Sequence, residues 1–131
     1  MAEIHYDRAA WPVVIATIEG TPDDGDLERF IRENWSDLER QEPYVLVLDV
    51  RRIGGVNPKL RRRLAEFISA NETILRRYRA GVAYVLDSSL TRGVLTAIYW
   101  LKPPPYRYDF FKTVDDAKAW GTRCVAQHAA A

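Results

Sequence analysis

A chain of 131 residues is the size of one domain and buries roughly two-thirds of its unfolded surface, enough for a core without disulfides or a structural metal. Its 47% apolar and 28% charged residues are ordinary for a globular protein, and 19 basic against 18 acidic side chains leave no global field drawing it to nucleic acid or membrane. The single cysteine, Cys124, excludes an internal disulfide, and neither a signal-peptide layout nor an apolar run near the ~20 residues of a membrane helix occurs, so a soluble cytoplasmic domain is expected.

Strand and helix patterns alternate along the chain. Glu3–Asp7 alternates sides like a short edge strand, and Val13–Ile18 is apolar and β-branched, suited to a buried one. Thr21-Pro22-Asp23-Asp24 predicts a helix start, with a capping hydroxyl, a proline at the first position and acids in the first turn. Leu27, Phe30, Ile31, Asn34, Trp35 and Leu38 then share one helical face. Tyr44–Val50 is nearly all apolar, as a central parallel strand covered on both faces requires.

Gly54-Gly55 turns the chain, and Asn57-Pro58 supplies a cap and a first-position proline for a helix reaching about Arg79. Leu60, Leu64, Phe67, Asn71, Ile74, Leu75 and Tyr78 form its stripe. Val82–Leu86 is the next buried strand. Ser88 or Ser89 caps a helix through Leu101 with Leu90, Val94, Ala97, Ile98 and Leu101 inward, until Pro103-Pro104-Pro105 stops it. Tyr106–Phe111 alternates as a last strand, and Thr113-Val114-Asp115-Asp116 opens a final helix in which Ala117, Trp120 and Cys124 share a face. Strands separated by single helices need crossover connections. The expected fold is therefore α/β over residues 1–131, in the order β-β-α-β-α-β-α-β-α. It has a mostly parallel five-stranded sheet, an antiparallel edge strand and about four helices on both faces.

Three segments in this order carry a family resemblance. They are Val47-Leu48-Asp49-Val50-Arg51-Arg52-Ile53, a strand ending in an aspartate before a turn and a long helix; Val82 to Ser89, leading into a helix; and Phe110-Phe111 followed by Asp115-Asp116-Ala117-Lys118-Ala119-Trp120. Together they resemble STAS domains, the fold of bacterial anti-anti-sigma factors, and especially the SpoIIAA-like branch that is also similar to Sec14-type lipid-binding domains. The resemblance implies a regulatory module that docks on a partner protein, or a carrier of a small apolar or anionic ligand. The chain departs from the family at the start of the second long helix. Anti-anti-sigma factors carry a phosphorylatable serine there, whereas here the stretch is Asn57-Pro58-Lys59-Leu60 and no hydroxyl occurs between Asp49 and Ser69. The phosphorylation switch is not expected.

No catalytic set stands out. Gly54-Gly55 lacks the spacing of a phosphate-cradling loop and reads as a tight turn. His5 and His128 have no partners at zinc-ligand spacing, Cys124 reads as a packed small side chain, and Asp87-Ser88-Ser89 lacks a nucleophile elbow. No cofactor and no metal is expected. Two polar sets remain as candidate ligand or partner surfaces. One is the start of the long helix, with Asn57, Lys59, Arg61, Arg62 and Arg63, extended at its far end by Arg76, Arg77 and Arg79. It reads either as a solvated face or as a surface for an anionic partner; nucleic acid is disfavoured because Phe67 and Tyr78 lie on the apolar stripe rather than among the arginines. The other lies where ligands bind in open α/β sheets, beyond the carboxyl ends of the strands: Asp49, Arg51, Arg52, Asp87, Ser88, Ser89 and Arg92. Asn71 sits oddly within an apolar stripe, either bonded to backbone or lining a pocket. Trp100 to Tyr106, with its three prolines, reads as a rigid connector. Homodimerisation through exposed aromatic residues is compatible with all of these readings.

Overall fold

The computed structural model describes residues 2–89, 92, 93, 96 and 103–130. Its strands are β1 (Ala2–Asp7), β2 (Val13–Gly20), β3 (Tyr44–Ile53), β4 (Arg79–Val85) and β5 (Arg107–Phe111). They form one sheet in the order β1-β2-β3-β4-β5. β1 pairs antiparallel with β2, placing Ile4 opposite Ile18, and every other pairing is parallel. Among the described residues the helices are α1 (Asp24–Leu38), α2 (Pro58–Ala70), α3 (Glu72–Tyr78) and α4 (Val114–Ala130). No helix among the described residues is long and apolar enough to cross a membrane.

The sheet is covered on both faces, as expected. One core joins α1, α2 and α3 to the sheet through Leu27, Ile31, Leu38, Leu60, Phe67 and Leu75 packed on Val14, Leu46, Val50, Val82 and Tyr84. The other sets Ala117, with Val114, Trp120 and Val125, against Val45, Val47, Ala83 and Val85. Because side chains alternate along a strand, β3 feeds Leu46 to one core and Val45 and Val47 to the other. That is why its sequence is continuously apolar rather than alternating. α4 lies very close to the sheet. A side chain at Gly121 would put its Cβ 2.7 Å from Val45 Cγ1, and one at Gly81 would meet the Trp120 ring at 2.9 Å. α2, by contrast, hardly approaches any strand.

Three expectations need correction. The cap of α1 is Asp23, not Thr21: Asp23 accepts the Asp26 N–H at 2.8 Å while Asp26 accepts the Asp23 N–H at 3.0 Å, a reciprocal capping box. The single helix from Pro58 to about Arg79 is two, α2 and α3, parted at Asn71. The Asn71 backbone leaves the helical region (φ −121°, ψ 25°), and its side-chain amide donates to the Phe67 carbonyl at 2.8 Å. The backbone role was one of the two readings open for this residue. Arg79 is the first residue of β4, not a helix end, and is 4% exposed. The cap predicted at Asn57 is present, its Oδ1 accepting the Leu60 N–H at 2.9 Å. A helical turn follows Ser88, whose carbonyl accepts the Arg92 N–H at 3.1 Å; the inward face expected of Leu90, Val94, Ala97, Ile98 and Leu101 lies outside the described residues.

Candidate functional site

Where α2 stands off the sheet, the interior is hollow. A cavity of about 110 Å³ lies among Ile18, Leu27, Leu48, Val50, Ile53, Val56 and Leu60, with apolar walls that include the stem of Arg61. A second, of about 100 Å³, adjoins it under the other end of α2, among Leu46, Ala65, Phe67, Ile68 and Val82. Phe30, Leu48, Leu64 and Tyr84 border both. Each approaches the volume of roughly 150 Å³ that holds benzene in an apolar core.

The second cavity ends on a polar cluster. Arg79 Nε donates to the Tyr44 hydroxyl at 3.2 Å, Nη2 donates to Asn34 Oδ1, and the Tyr106 hydroxyl also hydrogen-bonds the guanidinium. Its carbon lies 5.7 Å from the Tyr44 ring centre and 5.3 Å from that of Tyr106. Asn34 is held in turn, donating to the Phe30 carbonyl at 2.7 Å and to the Tyr6 hydroxyl at 3.4 Å. Burial works against the Arg79 charge, but the Tyr44 and Tyr106 oxygens outweigh it, so the guanidinium stays protonated. Burial raises Tyr6, Tyr44, Tyr84 and Tyr106 above the ordinary phenol range, keeping these hydroxyls neutral. Asp37, the buried acid of this layer, belongs to another group: Arg8 holds it at 2.6 Å and Glu33 at 2.7 Å.

The two sequence-predicted surfaces fare differently. The basic helix start is divided among separate partners. Lys59 pairs with Asp24 of α1 at 2.8 Å and Arg63 with Glu28 at 3.1 Å, Arg61 is half-buried at the first cavity, and Arg62 is exposed. Asn57 is used as the cap. The far group does not extend it: Arg76 pairs with Glu72 at 2.9 Å, Arg77 lies over Tyr78, and Arg79 is inside. At the carboxyl ends of the strands, Arg51 makes a forked contact to Asp49 at 3.0 and 2.8 Å. Burial pushes the Asp49 carboxyl up, but the Arg51 bonds outweigh it and hold it below the usual carboxylate range. Arg52 reaches Glu19 at 3.6 Å. Asp87, Ser88, Ser89 and Arg92 instead line a separate open groove with Phe110, Phe111 and Lys112. The two groups are neighbours at the ends of β3 and β4, close enough for the Asp87 charge to act on Arg51.

Sequence reading set Arg79 on an outer basic face, missed Tyr44 and Tyr106 as its partners, and took Asn34 as part of an apolar stripe. The available signal was that stripe itself: an amide among Leu27, Phe30 and Ile31 needs a polar partner inside, and Arg79 precedes a run too apolar to end a helix. Cys124 is buried, as expected, and burial pushes its thiol up. His5 lies near Glu3 at the surface, and the His128 ring nitrogen sits 2.7 Å from the Arg77 carbonyl; no group of three metal-ligating side chains occurs among the described residues.

No family model matches the chain, and no curated protein matches it. Solved structures do share its fold. A DUF3478-family protein from Shewanella loihica PV-4, with a SpoIIAA-like fold, superposes with TM-score 0.65 at 18% identity, covering 92% of this chain and 93% of that one. An anti-sigma factor antagonist from Mycobacterium paratuberculosis superposes with TM-score 0.60 at 15% identity, covering 93% and 95%. The chain has the SpoIIAA-like fold that the sequence resemblance implied. At these identities the likeness is one of architecture.

Proposed function

We propose that this domain is a non-enzymatic binding module that holds a small apolar or amphipathic molecule between its sheet and the layer of α1 and α2. The observation that carries the reading is the pair of adjoining cavities of about 110 and 100 Å³ beneath α2. Protein cores pack like organic crystals, and an unfilled void costs about 24 cal/mol per Å³. The α4 face of the same sheet meets that standard. Hollows bordered by aliphatic and aromatic side chains have the character of a ligand site.

Native mass spectrometry of the purified protein, beside its denatured mass, tests the reading. Retained extra mass that is lost on denaturation, or a thermal shift on adding medium-chain alcohols, is expected. A bare chain whose melting temperature ignores every such molecule would overturn it.

Docking on a partner protein is the second reading. What favours it is the fold held in common with a protein named as an anti-sigma factor antagonist, together with exposed charged residues at both predicted surfaces. Arg62 on α2, Arg51 and Arg52 at the end of β3, and Asp87, Ser89 and Arg92 after β4 are its contact residues. A serine switch at the start of α2 forms no part of it, since Asn57, Pro58, Lys59 and Leu60 offer no hydroxyl. Charge reversal at Arg52 and Arg62 is expected to abolish capture of a partner while leaving the melting temperature in place. Capture that survives the reversal would remove these surfaces from consideration.

A further inference from the structure

A guanidinium buried in a protein core ordinarily has a carboxylate beside it, because moving a charge out of water without a counter-charge is expensive. Arg79 is 4% exposed, yet among the described residues no acidic side chain forms an ion pair with it. Asp37 is committed to Arg8. Arg79 is instead surrounded by neutral oxygens, those of Tyr44, Tyr106 and Asn34, and by two tyrosine rings. Those groups solvate the cation without neutralising it, so its hydrogen bonds are met while its charge is not.

The position of this charge is the second half of the case. Arg79, Asn34 and Tyr106 border the second cavity, whose other walls are Leu46, Leu48, Leu64, Phe67 and further apolar side chains. Among the described residues, Arg79 is the only charged side chain lining it. The hollow is therefore amphipathic, with aliphatic walls leading to a single fixed cation. Arg presents a planar fork that matches a carboxylate bidentately, and one positive charge is balanced by one negative charge.

We infer that the ligand is an amphiphile bearing one carboxylate, with its head on Arg79 and Tyr106 and its tail running past Leu48, Leu64 and Tyr84 toward the cavity at Ile18. This rests on the proposed binding function and adds the chemical class of the ligand and the residue that selects it. Arg79 replaces the head group's lost hydration with preorganised donors. The carboxylate in turn supplies the counter-charge that the folded chain lacks.

The test is calorimetric titration of the whole chain at neutral pH with a matched pair of probes, octanoate and octanol. The account expects octanoate to bind about tenfold or more tightly, as a charge-assisted bond to a desolvated guanidinium implies. Arg79→Gln should remove that preference while octanol binding persists. Should Arg79→Gln fail to fold, the wild-type pair decides alone, and Tyr106→Phe, which keeps the charge, should lower octanoate affinity more than octanol affinity. Equal affinity for the two probes would overturn the assignment of Arg79 while leaving the cavity function standing. Binding of neither would overturn both.

Discussion

On one face of the sheet α4 lies so near that Gly81 and Gly121 have no room for a side chain, whereas on the other α2 stands away and leaves two hollows. The same strands build both faces, so the difference comes from the helices. α4 brings small residues to the contact, with Ala117 fully buried and Gly121 against Val45, and its backbone settles onto the strands. The opposite helices bring bulky Phe30, Trp35 and Phe67 instead, with Trp35 and Phe67 meeting edge to face at 6.1 Å between ring centres. Among the described residues, only that second face contains a buried charge without an ion-pair partner. The comparison teaches that the fold can be kept by one face while the other is free to receive a ligand.

Substitutions that add volume should separate the faces most strongly. Gly121→Leu forces a side chain into Val45 and is expected to cost about 3 kcal/mol in urea denaturation, the upper end of overpacking penalties. Leu64→Phe adds less bulk, and adds it where both cavities have room; it is expected to change stability by less than about 1 kcal/mol while weakening octanol binding. Similar costs for the two would erase the distinction.

Smaller effects probe the polar end of the loose face. Tyr44→Phe removes the acceptor of Arg79 Nε inside the core and is expected to cost about 1–3 kcal/mol, read from the same denaturation curves. Arg63→Ala breaks an exposed bridge to Glu28 and should cost less than about 1 kcal/mol, and Arg62→Glu should fall within about 0.5 kcal/mol of wild type. The smallest changes are expected with pH. Backbone N–H groups of Asp23 and Ala2 hold the Asp26 carboxyl below its usual range, and Arg51 does the same for Asp49 against the effect of burial. Both carboxylates therefore contribute stability above their unfolded values near about pH 4, and lose it as pH falls through their lower folded values. The urea midpoint should decline in that acidic window and decline less in Asp26→Asn.

The architecture was legible because periodicity and caps are local. Tyr44–Val50 could only be a two-sided strand, and Asn57-Pro58 could only begin a helix. The site was not, because it depends on which elements meet. Lys59 and Arg63 read as a basic face until α1 brings Asp24 and Glu28 opposite them. Arg79 read as the last basic residue of a helix that Asn71 in fact breaks, and only the start of β4 there carries its side chain into the core. Nothing in local spacing reports that Tyr44, Asn34 and Tyr106, far apart in the chain, converge on it.

The most direct test of the central claim is a methyl-resolved carbon–proton NMR titration of the whole chain with octanol. The account predicts shifts concentrated at Ile18, Leu48, Val50 and Leu64 around the hollows, with Val45, Val47 and Val85 under α4 unchanged. Shifts spread equally over both faces, or none at saturating octanol, would contradict a ligand site confined to the space beneath α2.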